Sequence, residues 1–278
     1  MICFSYSIAC NSAQAEILIA VLSKNNFNGF QEEEKLLIAY TDSEKNMTPE
    51  LIYQFKLLGI NIPSPESIPD KNWNEEWESK ILPIEINDEV LIKTTFHHVE
   101  KKYPIEIIID PKMSFGTGHH ATTHMMIEFM LENKSLFVDS IVFDFGAGTG
   151  ILSILAEKSG AAEILAIDHE EWAFNNMNEN FERNNATRCI AELSSMPPDS
   201  DNKFDLILAN INRTVILEFF NSISQNLKPD GILFCSGFLT DDEKLITQAA
   251  EKLNLKFIDR KFRENWMAIQ FKKHTTNS

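Results

Sequence analysis

Apolar and polar residues alternate in two different patterns along the chain, and the change between them predicts two domains. Residues 1–60 hold two segments with the two-residue period of half-buried strands, each followed by a segment with the period of an amphipathic helix. This order predicts a small α+β domain of ferredoxin-like type. The predicted strands are 1–9 and 35–40, and the predicted helices run from a cap at 11 or 12 to about 24 and from 48 to 58.

Prolines after the second helix predict the end of this first domain. Pro63, Pro65 and Pro69 fix φ and disfavour a helix in the residues before them. We therefore predict a linker region over residues 61–100 and a second domain over residues 101–278. Three further strands are predicted at 84–86, 89–96 and 105–109.

Two tryptophans stand out in the predicted linker. Trp73 and Trp77 are four residues apart, so they would share one face of a helix. Two interpretations remain open: the pair packs the linker onto a domain, or it contacts a substrate.

Strand and helix patterns alternate regularly from residue 141 onward, which predicts a parallel sheet with helices on both faces. The last two strand-like segments follow one another without a helix between them, so we expect them to pair antiparallel. The predicted fold class is therefore α/β, a seven-stranded doubly wound sheet with an antiparallel C-terminal hairpin. The predicted strands are 141–145, 163–168, 187–191, 205–211, 231–236, 256–263 and 266–272, and the predicted helices are 122–136, 151–159, 170–184, 213–227 and 241–253.

A glycine-rich loop interrupts the apolar run at the start of this domain. Gly146, Gly148 and Gly150 allow a sharp backbone turn and leave bare peptide against which a ligand can lie. Asp168 closes the next predicted strand, where its carboxylate can accept hydrogen bonds from both hydroxyls of a ribose. Together these residues predict a site for a nucleoside-type cofactor.

The glycine spacing argues against a dinucleotide. The dinucleotide fingerprint is G-x-G-x-x-G, and its third glycine would fall at Ile151, whereas this loop reads G-x-G-x-G. The closing antiparallel pair is also not expected in a plain dinucleotide-binding fold. Another adenosine-bearing ligand is therefore favoured.

A second loop, residues 110–123, is rich in small residues. Gly116 and Thr117 can offer backbone N–H groups and a hydroxyl to a ligand, but the loop lacks the lysine of a phosphate-binding loop. Phe115 has two alternatives, an apolar wall over the cofactor or a core position. His119 and His120 are adjacent and unlike a pair that shares a metal, so we predict no metal site.

The net charge of −16 weighs against a protein that binds by neutralising nucleic-acid phosphates. It suits a basic partner, although acidity that only keeps the protein in solution explains it equally well. The four cysteines form no C-x-x-C pair, which fits a reducing cytosol. No segment has the roughly 18 apolar residues of a membrane span. We expect a cytoplasmic monomer with no direct nucleic-acid or membrane partner.

The two glycine-containing loops and the segments around them resemble those of a known class of enzyme. The stretch from Asp144 to Gly150, with Asp168 and the closing hairpin, resembles the seven-stranded methyltransferases that use S-adenosylmethionine. The stretch from Phe115 to Thr123, Ala209-Asn210-Ile211 and the small N-terminal domain narrow the resemblance to the family of ribosomal protein L11 methyltransferases.

The resemblance implies an enzyme with an N-terminal substrate-recognition domain over residues 1–60, a flexible linker and a catalytic domain. It would methylate lysine ε-amines and the N-terminal amine of ribosomal protein L11, with S-adenosylmethionine as cofactor. Asn210 would be the catalytic residue that positions the amine. The implied cofactor-binding residues are Phe115, Gly116, Thr117, Thr123, Gly146, Gly148, Asp168 and Asn210.

Some positions depart from the family pattern. The usual Thr-His-Pro is His119-His120-Ala121 here, the usual cysteine between the first two glycines is Ala147, and Asn212-Arg213 replaces a small apolar pair. Alternatives therefore stay open: a class I methyltransferase acting on another protein or on a nucleic-acid base, or a cofactor-binding adapter without catalysis. The Asn-Pro-Pro-aromatic signature of amide and base methylation is absent after Asn210.

Overall fold

The computed structural model describes residues 3–68, 82–110, 112, 114–199 and 203–274. The chain divides into two compact units, Met1–Lys80 and Ile81–Ser278. Trp73 and Trp77, for which two interpretations remain open, lie outside the described residues. Within the ranges given above, no helix is long and apolar enough to cross a bilayer.

The first unit is a four-stranded antiparallel sheet with two helices. Its elements are β1 (Cys3–Ala9), α1 (Ser12–Leu22), β2 (Phe27–Glu33), β3 (Leu36–Thr41), α2 (Pro49–Leu57) and β4 (Glu66–Ile68). The spatial order β2-β3-β1-β4 is that of the predicted ferredoxin-like arrangement. Asn11 caps α1 by accepting a hydrogen bond from the backbone N–H of Gln14 at 2.9 Å.

Two strands of this unit lack a strong sequence pattern. β2 pairs with β3 as a hairpin, and β4 adds three residues to the edge of β1. The unit therefore continues past residue 60, where the prolines predicted its end. Prolines mark the end of a helix reliably, but they are compatible with the extended segment that leads into a short edge strand.

The second unit begins with a small sheet of β5 (Ile84–Ile86), β6 (Val90–Lys93) and β7 (Ile105–Ile108). β5 and β6 pair antiparallel, and β6 and β7 pair parallel. Val90, Leu91 and Ile92 are at most 3% exposed. This stretch is a buried part of the second unit, which differs from the predicted linker over residues 61–100.

The second unit then forms the main sheet. Its helices are α3 (Ala121–Glu132), α4 (Ile151–Lys158), α5 (Glu171–Arg183), α6 (Arg213–Asn226) and α7 (Glu243–Glu251). Its strands are β8 (Ile141–Phe145), β9 (Glu163–Asp168), β10 (Cys189–Leu193), β11 (Phe204–Asn210), β12 (Leu227–Leu239), β13 (Leu255–Arg263) and β14 (Trp266–Lys273).

The seven strands lie in the order β10-β9-β8-β11-β12-β14-β13, and β14 runs antiparallel to both of its neighbours. The chain builds outward from β8 through β9 to β10 and then returns to place β11 on the other side of β8. Ligands of such sheets bind at the carboxyl ends of the strands where the order reverses. The predicted fold class, including the antiparallel hairpin, is confirmed.

Both faces of the main sheet are buried, because successive residues of its strands join different apolar clusters. Val142 and Phe234 belong to one cluster, whereas Phe143 and Cys235, the residues that follow them, belong to the other. Helices therefore cover both faces, which holds the strand ends in fixed positions relative to each other.

Phe234→Ala should destabilise the second unit by about 3 to 5 kcal/mol, because Phe234 is fully buried and its ring lies 5.7 Å from that of Phe129. Denaturant unfolding monitored on this unit checks the prediction. The matched control is Phe262→Ala on β13, whose side chain is 51% exposed, and it should cost less than about 1 kcal/mol. Equal effects of the two changes would contradict the assignment of Phe234 to the core.

Candidate functional site

A pocket of about 880 Å³ opens at the carboxyl ends of β8, β9 and β11, where the strand order reverses. Five of the predicted site residues line it: Phe115, Gly146, Gly148, Asp168 and Asn210. Most of its wall is apolar, and its polar groups come from the strand ends and the loops that follow them. This is the kind of concave, mainly apolar site that binds small molecules.

The glycine loop forms the floor of the pocket. Gly146 and Gly148 both have positive φ, +73° and +57°. A Cβ on Gly146 would lie 2.3 Å from Cγ2 of Ile211, and a Cβ on Gly148 would lie 2.4 Å from the carbonyl oxygen of Phe115. Glycine is therefore required at both positions by conformation and by close approach.

Asp168 joins the glycine loop to the end of β9. Its Oδ2 accepts a hydrogen bond from the backbone N–H of Gly148 at 2.9 Å, and its Oδ1 accepts one from the N–H of Glu170 at 3.1 Å. The carboxylate lines the pocket although the residue is only 8% exposed. A carboxylate has about four lone-pair sites, so each oxygen can accept a further hydrogen bond from a ligand.

Asn210 presents an unpaired acceptor at the end of β11. Its Nδ2 donates to Oγ1 of Thr123 at 3.1 Å, while its Oδ1 is buried without a hydrogen-bond partner. Thr123, on α3, is fully buried. The threonine therefore fixes the orientation of the amide, and the free oxygen is a polar group that a bound ligand would satisfy.

Aromatic rings form one side of the pocket. Phe115 is 51% exposed and packs edge-on against His120, whose ring in turn meets Trp266 at 4.9 Å. His120 also caps α3, since its Nδ1 accepts a hydrogen bond from the N–H of Thr122 at 3.3 Å. Of the two alternatives for Phe115, the structure supports a pocket wall and not a core position.

Gly116 and Thr117 do not line this pocket. The carbonyl of Gly116 accepts a hydrogen bond from Oγ1 of Thr149 at 2.6 Å, and Oγ1 of Thr117 lies 3.1 Å from Nδ1 of His119. Thr123 reaches the site through Asn210. The predicted cofactor contacts of Gly116 and Thr117 rest on the family resemblance alone.

Sequence reasoning missed several residues of the pocket. Trp172 is 44% exposed beside it, and its indole N–H donates to Glu170 at 3.1 Å. Its place just after the acidic strand end was the only signal available. Met196 and Trp266 come from a loop and from the closing hairpin, and no local pattern marks them.

Asp144, the penultimate residue of β8, is bonded to α4, the helix that follows the glycine loop. It is 1% exposed, and its Oδ2 accepts a hydrogen bond from Oγ of Ser153 at 2.6 Å. Burial, with a smaller contribution from the charge of Asp168, raises the pKa of Asp144 to about 7. Burial also raises the pKa of the Cys189 and Cys235 thiols, as expected for cysteines that serve packing.

The strand order with one reversed strand, the glycine loop and the acidic residue at the neighbouring strand tip define a methyltransferase with a Rossmann-like sheet. A family model described as "Ribosomal protein L11 methyltransferase (PrmA)" matches residues 5–274, and the chain belongs to this family. The family resemblance read from the sequence is thereby confirmed.

Individual relatives agree with the family match over most of their length. A protein of Porphyromonas gingivalis named ribosomal protein L11 methyltransferase is 38% identical over 263 residues, 92% of this chain and 90% of that protein. A protein of the same name from Bacteroides thetaiotaomicron is 35% identical over 268 residues, 94% and 95% of the two chains.

Among solved structures, the ribosomal protein L11 methylase from Lactobacillus delbrueckii subsp. bulgaricus is similar with a TM-score of 0.63 and 27% identity. The similarity covers 70% of this chain and 100% of that one.

Asp144→Asn should flatten the pH dependence of stability. Since the folded-state pKa of Asp144 is about 7 and the unfolded value is near 3.8, its contribution is greatest below about pH 4 and is lost as pH rises to about 7. Above pH 7 the asparagine variant should therefore be more stable than the wild type, by up to a few kcal/mol. Unfolding free energies measured from about pH 5 to about pH 8 check this. A constant difference between the two proteins would contradict it.

Proposed function

We propose that this protein transfers methyl groups from S-adenosylmethionine to lysine ε-amines and the N-terminal amine of ribosomal protein L11. The observation that supports it most directly is the buried, unpaired Oδ1 of Asn210 beside the glycine loop, in a chain of this family. Because the substrate is a ribosomal protein, we place this enzyme in the cytoplasm.

The residues present fit the cofactor. Gly146 and Gly148 present bare backbone to the pocket in a conformation that no residue with a Cβ could take without colliding with Ile211 or Phe115, and Asp168 keeps free lone pairs for two ribose hydroxyls. Phe115 and Trp172 offer apolar surface along the same pocket. When bound, S-adenosylmethionine supplies a methyl group on a positively charged sulfur, a donor that needs no further activation.

The protein's task is then to position a neutral amine. A lysine in water has a pKa of about 10.4, so the ammonium must lose a proton before its nitrogen can attack. The apolar wall around Phe115 disfavours the charged form and lowers that pKa. The proton that the ammonium loses passes to water, and Oδ1 of Asn210 accepts a hydrogen bond from one of the two remaining N–H groups and aims the lone pair at the methyl carbon. The carbon–sulfur bond of the donor would break as the carbon–nitrogen bond forms, so that the sulfur leaves as a neutral thioether.

The acidic charge of the chain supports a basic protein as substrate and counts against RNA. The net charge is −16, and a basic substrate is attracted by such a surface, whereas nucleic-acid phosphates are repelled. Incubation with labelled S-adenosylmethionine and ribosomes from cells that lack this enzyme tests the proposal. Label is expected in ribosomal protein L11. Label in RNA, or in no component, would overturn it.

Asn210→Ala should lower the rate of methyl transfer by about 100-fold, because the amine loses the group that aims it. Initial rates with labelled cofactor measure this. The matched control is Asn226→Ala, which also removes a buried asparagine with an unpaired Oδ1, but outside the pocket. A control as slow as Asn210→Ala would contradict the assigned role.

Asp168→Ala should weaken binding of S-adenosylmethionine by about 1 to 3 kcal/mol in calorimetry, since the ribose loses a charged acceptor. The control is Asp205→Ala, because Asp205 likewise accepts a backbone hydrogen bond, from Ile141 at 2.9 Å, but does not line the pocket. Unchanged affinity in the Asp168 variant would refute the ribose contact.

A further inference from the structure

Three asparagine side chains, two on α5 and one at its C-cap, form hydrogen bonds with the backbone at the end of β7 and just after it. Asn176, Asn180 and Asn184 follow each other at four-residue spacing, so their side chains share one helix face. Asn184 exchanges two hydrogen bonds with the backbone of Ile108, at 2.9 and 2.7 Å, and Asn176 donates to the carbonyl of Asp110 at 2.9 Å. Asp110, which begins the loop that carries Phe115 (the Phe115 loop), is thus fixed to the helix.

Asn180 connects this loop to the glycine loop. Its Oδ1 accepts a hydrogen bond from the N–H of Asp110 at 3.1 Å, and its Nδ2 donates to the carbonyl of Thr149 at 3.0 Å. Asn180 is fully buried and does not line the pocket. One amide therefore satisfies two backbone groups that have no other role in a regular element.

Thr149 holds the other end of the same loop. Its backbone N–H donates to the carbonyl of Phe115 at 3.0 Å, and its hydroxyl donates to the carbonyl of Gly116 at 2.6 Å. Thr149 is also fully buried and outside the pocket wall. The Phe115 loop is therefore attached to Thr149 at both ends, directly at Phe115 and Gly116, and through Asn180 at Asp110.

The aromatic ring of Phe115, which this loop carries, is half exposed. Phe115 is 51% exposed, and its ring meets that of His120 edge-on at 5.1 Å, so side-chain packing covers only part of the ring. The hydrogen bonds of Thr149 and Asn180 are the described contacts that tie the backbone on both sides of it to the cofactor cradle.

We propose that Thr149 and Asn180 are positioning residues for cofactor binding, which clamp the Phe115 loop onto the glycine loop and hold the Phe115 ring as a wall of the site. The inference rests on the proposed function, because it concerns the same cofactor. It adds two buried residues that do not line the pocket.

A double-mutant cycle tests the clamp. Binding of S-adenosylmethionine is measured by calorimetry for Thr149→Val, Phe115→Ala and the double variant. Valine keeps the shape and the backbone hydrogen bond of Thr149 but removes the hydroxyl, so affinity should fall about 10-fold, and Thr149→Ser should restore it. In the Phe115→Ala background, Thr149→Val should change affinity less than about 2-fold.

A merely structural role gives a different result. If Thr149→Val lowers affinity by the same factor with and without the Phe115 ring, Thr149 does not act through Phe115 and the inference fails. Thr247→Val is the matched control, because it also removes a hydroxyl bonded to a backbone carbonyl, 2.8 Å from Glu243 on α7, away from the pocket. The Thr247→Val variant should bind S-adenosylmethionine with the affinity of the wild type.

Asn180→Asp offers an independent test should the valine variant fold poorly. The aspartate keeps the acceptor for Asp110 but, when ionised, turns a second acceptor toward the carbonyl of Thr149. Burial at this fully buried position raises the pKa of the new carboxyl, so protonation restores a donor as pH falls, and the affinity ratio between wild type and variant should shrink from about pH 8 to about pH 5. In the Phe115→Ala background, the same affinity ratio should not change with pH.

A ratio independent of pH, or equally dependent without the Phe115 ring, would overturn the clamp. Failure of the proposed function is distinguishable, because it is measured on the wild-type protein: label in RNA would overturn the substrate and leave this binding test intact, and a wild-type protein that does not bind S-adenosylmethionine would remove the cofactor itself.

Discussion

The hydrogen bond from the backbone N–H of Gly148 to the carboxylate of Asp168 joins two strand ends, and the site is built around it. It fixes the glycine loop against β9 while the carbonyl of Phe115 occupies the space that a Cβ at position 148 would need. The loop is thus held from two sides, and the close approach of Phe115 leaves no room for a side chain at position 148. Because both faces of the sheet are buried, the strand ends that make these contacts cannot drift apart.

The two aspartates near the glycine loop, Asp168 and Asp144, differ in their surroundings. Asp168 is anchored by backbone N–H groups at the pocket, whereas Asp144, one strand away and fully buried, has its pKa raised to about 7. Two carboxylates close together in an apolar surrounding are costly when both are ionised, and the deep burial of Asp144 favours its protonated form. The pocket therefore presents one carboxylate, that of Asp168, to a ligand, while Asp144 bonds to Ser153 in the first turn of α4.

Patterns of short range predicted much of this architecture. The strand at 141–145, the glycine loop and the strand that ends at Asp168 were recovered with the bounds that the structure shows, because period and turn chemistry are local properties. Short edge strands were harder. β4 holds three residues, too few for a period, and its position follows from the unpaired edge of β1.

The sequence by itself determined the class of fold, the glycine loop and the family, since each depends on the order of residues within a few turns of chain. Only the tertiary structure decided which side chains meet. Asn210 and Thr123 are 87 positions apart, and Asn180 and Thr149 are 31 apart, yet each pair shares a hydrogen bond. Such contacts arise where helices pack on the ends of strands, and no periodicity along the chain encodes the distance between them.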